Sequence, residues 1–385
     1  MRNVFFLLLI FGYFSGLNAY SGINSTADSS HLKKGQMKYR HRNFIGALED
    51  FNLAINEGNH HFEAYYFRGV TNIELGDFDA AFKDLNKAIE IKPNSTESFL
   101  NRGICRANLR DKKGAMEDYN QAITLNSSNT EALMVRAKEK QSQGDIQGAI
   151  KDYGEVINIS PSSYSAFYHR GLARNEMTKY SDAILDFNKA IKINPQNGMA
   201  YFYRAHARNH MREYEAALKD YNKALQLDST EKIFYYNRAF TKREMNDFNG
   251  AIIDYNKAIE LDPKFLEAYY QRAETKHRSG QTSAAIADFT QLIQEHPYDH
   301  GAYLNRGFFY MEINNNSEAI KDFEKVIQMN PNEKEAYYYK GMLKMKINDI
   351  EGACTDLKLA EKTGDKRAIE IIKKNCKRDT HNFIK

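Results

Sequence analysis

An all-α solenoid of about ten helical hairpins, closed by one further capping helix, is the fold that this 385-residue sequence predicts. Three regularities predict it. The six prolines, Pro93, Pro161, Pro195, Pro263, Pro297 and Pro331, are separated by 68, 34, 68, 34 and 34 residues, all multiples of 34. Such a period marks a repeat array, in which each unit buries its apolar face only against its neighbours. Laid out in rows of 34 from Asp28, the chain carries Ala at position 20 of every row, from Ala47 and Ala81 through Ala217 to Ala353. Position 24 is Phe, Tyr or Leu (Phe51, Tyr221, Leu357), and position 27 is Ala, Val or Leu (Ala88, Val156, Leu292). Apolar residues at 20, 24 and 27 have the i, i+4, i+7 spacing of one helical face.

The elements follow in order. Met1-Arg2-Asn3 is a short basic start, and Val4–Phe14 is an apolar run of eleven residues followed by small ones. This is the layout of a secretory signal peptide, and the run is shorter than the ~20 residues a membrane-spanning helix needs. Residues 1–21 are therefore expected to direct export, to a secreted or, in a Gram-negative bacterium, a periplasmic location, with no stable membrane span after cleavage and 22–27 as a linker. Ten rows, starting at 28, 62, 96, 130, 164, 198, 232, 266, 300 and 334, then reach 367 without insertion or deletion.

Within a row, positions 4 and 8 share the face of a first helix, as Tyr65 and Gly69 do. A turn falls near positions 15–16, as in Leu75-Gly76-Asp77 and Gln143-Gly144-Asp145. The second helix carries the apolar face and stops at position 32. Proline there lacks the N–H and disfavours helix in its predecessor; Asn59, Ser127, Ser229 and Asp365 fill the slot elsewhere. Small residues at 8 and 20 lie at similar distances from the turn, which lets the two helices approach closely. The segment 366–376 (KRAIEIIKKNC) reads as one more amphipathic helix, with Ile369 and Ile372 inward and Lys373, Lys374 and Lys377 outward. This places a capping helix at 368–377 and a polar tail at 378–385.

Small residues at 8, 20 and 27, a large one at 24 and Pro at 32 resemble the tetratricopeptide repeat family, over residues 28–367. The resemblance implies a superhelix whose first helices line a concave groove, with positions 2, 5, 9, 12 and 13 turned to a ligand. It implies a non-enzymatic scaffold that binds a protein or peptide segment. Carried onto rows five to eight, the groove residues are Tyr168, Phe202, Tyr236 and Tyr270 at position 5, Phe240 at 9, and Asn175, Asn209 and Arg243 at 12. Rings flanked by amides and a guanidinium suit such recognition, because they bury large area and keep polar tips. A second reading of the same Tyr/His surface is a non-peptide ligand, a glycan or a metal-bearing molecule. Two columns depart from the family: position 7, commonly Leu, is Lys or Arg in every row, and position 11, commonly Tyr, is mostly basic.

The basic column has a counterpart. Position 23 is Asp in all ten rows, and positions 7 and 23 lie eight residues either side of the turn. Antiparallel helices bring them level, which predicts a ladder of pairs such as Arg68–Asp84, Arg204–Asp220 and Arg238–Asp254, within each hairpin or between neighbours. The competing reading is a basic track for an acidic ligand. With 54 basic and 50 acidic residues the formal charge is +4, which gives no electrostatic case for nucleic acid.

Little else carries chemistry. There is no G-x-G, Gly-Lys, C-x-x-C or H-E-x-x-H, so neither enzymatic activity nor a cofactor is expected. His206 and His210, an i, i+4 pair, with Glu176 one row earlier form the one metal-like set, suited to Zn²⁺ if brought together. Cys354 and Cys376 are each eleven residues from position 365, so an antiparallel cap would set them opposite one another. A disulfide there and two separate thiols are the alternatives, and Cys105 reads as a core residue. Asn-X-Ser/Thr sequons at Asn24, Asn94, Asn126, Asn158 and Asn315 fall in the linker, at turns or near helix ends.

Overall fold

A computed structural model describes residues 30–58 and 61–376. The expected signal peptide, linker and polar tail, and Asn59, lie outside the described residues. Every regular element among those residues is an α-helix, and the chain divides into two compact units.

The first unit, residues 1–161, holds α1 (Ser30–Arg40), α2 (Phe44–Asn56), α3 (Phe62–Leu75), α4 (Phe78–Ile91), α5 (Thr96–Asn108), α6 (Lys112–Leu125), α7 (Thr130–Ser142) and α8 (Ile146–Ile159). The second, residues 162–385, starts with α9 (Tyr164–Glu176), α10 (Tyr180–Ile193), α11 (Gly198–His210), α12 (Tyr214–Leu227), α13 (Lys232–Glu244) and α14 (Phe248–Leu261). It continues with α15 (Leu266–Arg278), α16 (Thr282–Glu295), α17 (His300–Glu312), α18 (Asn316–Met329), α19 (Lys334–Lys346), α20 (Ile350–Lys362) and α21 (Arg367–Asn375). Odd and even helices pair as hairpins, and within each unit every hairpin packs on the next, as an all-α solenoid does. Successive first helices also touch directly, α1 on α3, α3 on α5, α9 on α11, α11 on α13 and α13 on α15. They line the tighter, inner side of each unit.

Local chemistry sets the hairpins. The residue at position 15 is left-handed in every row, Gly in three (Gly76, φ 81°) and otherwise a residue such as Asn246, Arg110 or Thr178 (φ 58°). The next residue commonly caps the second helix: Asp77 accepts from the N–H of Ala80 at 3.0 Å, satisfying an end group that has no partner inside the helix. Where position 8 is glycine the helices use the space, since a Cβ on Gly171 would lie 2.8 Å from Cε1 of Phe187.

The core is built between rows. Ala217, Tyr221 and Ala224 of α12 pack with Phe202 and Ala205 of α11 and with Phe234 of the next row. Each large side chain fully buried this way contributes roughly 1.5–3 kcal/mol. At the far end, α21 packs Ala368, Ile371 and Ile372 onto Tyr337, Leu357 and Ala360. Ile372 is inward as expected, and Ile371, with Ala368 on the same face at i and i+3, takes the place expected for Ile369, which is half-buried outside that cluster. Cys354 and Cys376 are disulfide-bonded, with Cα atoms 5.7 Å apart, and Cys105 is a buried thiol whose titration burial pushes up to about 12.

Candidate functional site

Two polar systems occupy the first helices, and their contrast locates the site. The first is the ladder. Arg204 donates from Nε and Nη2 to Asp220 at 2.8 and 2.5 Å, Arg68 to Asp84 at 2.9 and 2.6 Å, and Arg238 to Asp254 at 2.8 and 2.6 Å. The ten aspartates of this column are only 2–5 % exposed. A buried carboxylate needs such a bidentate partner to offset its desolvation.

Three further columns, not assigned by the sequence reading, complete most rungs. The remaining Nη1 reaches back to the preceding row: Arg204 to Asn188 at 2.7 Å, Arg238 to Asn222 at 2.8 Å and Arg68 to Asn52 at 2.9 Å. The basic residue at position 11 supplies a second cation, as Arg208 and Lys242 do to Asp220 and Asp254 at 2.6 and 2.8 Å. An aromatic ring at position 4 lies under the guanidinium, Tyr201 at 5.4 Å from Arg204. The recurrence of Asn at position 25 and of a ring at position 4 was the available signal. The first row differs: Lys34 is exposed, and Lys38 alone holds Asp50 at 2.8 Å.

The second system is the inner face of α9 and α11. Tyr164 and Tyr168 stack at 5.6 Å, and Tyr168 meets the edge of Tyr203 at 6.1 Å. Asn175 donates its amide to the Tyr203 carbonyl at 3.4 Å. His206, one turn beyond Tyr203, meets His210 edge-on at 4.7 Å, and His210 stacks on Tyr180 at 4.5 Å. Here the polar atoms are not paired off. Oδ1 of Asn175, Nδ1 of His206 and Oη of Tyr164 are buried with no protein hydrogen-bond partner. Buried polar atoms are nearly always satisfied, so three without protein partners on two adjacent helices mark a place that something else completes. Burial, helped by the neighbouring His210, lowers the His206 pKa to about 4, so the ring is neutral at physiological pH. Burial also pushes the Tyr164 hydroxyl up to about 12 and raises those of Tyr168 and Tyr203. The face therefore offers uncharged acceptors and donors among rings.

The remaining groove candidates sit differently. Phe202 is buried against Phe234 and Tyr221, so it shapes the floor and does not face a ligand. Lacking a hydroxyl, it has no reason to keep its tip in water. Asn209 is engaged with Thr241 at 2.8 Å and the Tyr221 hydroxyl at 3.3 Å. Arg243 is buried, over the Phe240 ring at 4.8 Å and hydrogen-bonded to Gln271 and Glu244. Asn209 and Arg243 thus tie successive first helices together. Tyr236 packs on Tyr255 and Phe265, and Tyr270 donates its hydroxyl to Asp299 at 2.9 Å. Among the described residues no three His, Cys, Asp or Glu side chains group as metal ligands, so His206, His210 and Glu176 are not assembled as a zinc set. A depression of about 530 Å³ at Asn246, Asp247, Phe248, Arg278 and Gln281 lies at the turns, far from these orphaned atoms, and its lining is mostly polar with no convergent unpaired group.

Comparison with known proteins follows the geometry. Family models described as Tetratricopeptide repeat match residues 62–95, 96–129, 164–197 and 300–333, and others of that description match 187–219 and 267–297. A model described as TPR repeat matches 241–280. No curated protein matches the chain. Among solved structures, the C-terminal part of a TPR repeat-containing protein from Cytophaga hutchinsonii is 19 % identical, with a TM-score of 0.54, over 62 % of this chain and 97 % of that one. A tetratricopeptide repeat protein from Parabacteroides merdae is 24 % identical, over 64 % and 97 %, with a TM-score of 0.48. YrrB, a TPR protein with an unusual peptide-binding site, is 18 % identical over 49 % and 97 %, with a TM-score of 0.45.

Proposed function

The chain belongs to the tetratricopeptide repeat family, and from that premise we propose that it is an exported, non-enzymatic scaffold whose inner face at α9 and α11 holds an extended peptide segment. One observation carries this reading: Asn175 and His206 each keep a buried polar atom without a protein partner, beside the Tyr164, Tyr168 and Tyr203 rings. A peptide backbone presents an N–H and a C=O at every residue, which is the complement such atoms need. Each hydrogen bond of this kind is worth about 0.5–1.5 kcal/mol, while the rings supply area for the peptide's side chains.

Selection of binders from a random peptide library on the purified protein tests it. Asn175→Ala with His206→Ala is expected to weaken selected peptides about tenfold or more while the helical spectrum is kept. Selected peptides that bind the double variant equally well would move the site elsewhere. Because the same neutral acceptors and rings also suit a sugar, a glycan array run in parallel decides between the two ligand classes. Export is tested separately: the released protein should begin after residue 21, and recovery of Met1 would refute it.

A further inference from the structure

We propose that the outer face of the first hairpin, on α1 and the turn into α2, docks onto an anionic phospholipid surface. This surface is separate from the inner face described above and does not depend on it. In later rows a first helix of the same unit is covered by the hairpin before it, which is why position 10 is mostly buried there, as Thr71, Cys105, Thr241 and Thr275 are, with Glu139 half-buried. In α1 that position is Met37, 58 % exposed. Leu32, Gly35 and Tyr39 face the core, while Lys33, Lys34, Met37 and Arg40 lie exposed on the opposite stripe at helical spacing.

The adjoining turn adds to this face. Arg42 is exposed, and Ile45, two residues into α2, is 68 % exposed. Position 18, which Ile45 occupies, is polar in all nine other rows (Asp79, Lys113, Gln147, Ser181, Glu215, Asn249, Ser283, Ser317 and Glu351). An exposed isoleucine at a position otherwise polar is not explained by the repeat.

Charge decides what the face fits. Residues 30–48 contain five Lys or Arg and no Asp or Glu; Lys38 is held by Asp50, and the other four, Lys33, Lys34, Arg40 and Arg42, are exposed. A second copy meeting it with the same face would bring like charge. Met and Arg also suit a protein interface, but lysine is depleted there and no exposed Trp or Tyr anchors this face, which favours a lipid surface. Basic residues interleaved with aliphatic ones on a short helix face are what an in-plane, anionic bilayer surface selects: the lysines meet head groups and the aliphatic tips enter the boundary. No span is involved, since no helix among the described residues is long and apolar enough to cross a membrane.

Co-sedimentation of the full chain with vesicles tests the proposal, using phosphatidylcholine alone against phosphatidylcholine with about one-third phosphatidylserine. The reading is the difference between the two compositions, which removes any contribution of the apolar run Val4–Phe14. Binding to the anionic vesicles is expected to be stronger and to fall as salt rises to ~0.5 M. Lys33→Glu, Lys34→Glu and Arg40→Glu together should lower it at least tenfold. Met37→Gln with Ile45→Asn should lower it several-fold and leave the salt dependence in place. A triple Gln variant at the same three basic positions serves if charge reversal disturbs folding. Equal binding to both compositions, or anionic binding that survives the triple change, would overturn the proposal, as would capture of an acidic protein by this face without any vesicle binding.

Discussion

The ladder and the inner face of α9 and α11 lie on the same first helices yet treat polar groups in opposite ways. Asp220 meets Arg204 and Arg208, and Arg204 continues to Asn188 and the Tyr201 ring. Asn175 and His206 keep buried atoms that nothing in the protein meets. The ladder recurs row after row, whereas three open atoms on uncharged side chains, of Tyr164, Asn175 and His206, gather on one pair of first helices. In a repeat protein, a feature present in every row is explained by stacking, and the feature that occurs once is where a particular job can reside.

The largest expected effect breaks the ladder. Asp220→Ala removes the shared acceptor of two partly buried cations, and urea unfolding should show a loss of about 3–5 kcal/mol. Asp322→Ala should cost distinctly less. Its position-11 neighbour is Tyr310, only Arg306 would be left without its carboxylate, and burial already raises the Asp322 pKa despite that arginine. Equal losses would mean that the second cation contributes nothing.

Next comes the inner face. Because His206 is held neutral down to about pH 4, the unfolded chain binds a proton between about pH 6.5 and 4 that the folded chain does not. Stability contributed by this residue is therefore present above pH 6.5 and falls as the pH drops to 4, by up to about 3 kcal/mol. His206→Phe, the residue that row seven carries at this position as Phe240, should flatten the melting temperature across that window. An unchanged pH profile would place the ring in water.

Smaller effects sharpen the contrast. Asn222→Ala removes the tie from row six to Arg238 and should cost about 1 kcal/mol, with hydrogen exchange rising in α13 if the tie acts between rows. Thr178→Gly, at a left-handed turn residue with a branched side chain, should stabilise by up to about 1 kcal/mol in thermal melts.

Much of the architecture was legible because the chain repeats without slippage: the period, the hairpin turn, and the Arg and Asp columns are visible in the residues alone. The working surface was less so. Position 5 is half core, and its residues divide: Leu100, Met134 and Phe202 sink, whereas Tyr168 and Tyr236 stay half-buried. Position 12 is close enough to the next first helix that Asn209 and Arg243 are taken up in holding it. Which atoms remain unpaired depends on distances between helices, and no column of letters contains those. The cap was legible in its amphipathic pattern, but the half-turn that favours Ile371 over Ile369 was set by where Tyr337 and Leu357 lie.

The backward bond that most ladder arginines make to the row before has an evolutionary corollary. A row with Asn at position 25 hands an amide forward to the next arginine, so a gene that duplicates or loses 34 codons among such rows still meets matching partners at the new junction. Arrays joined this way can change in number without redesign, and natural variants of this chain should differ from it by whole rows.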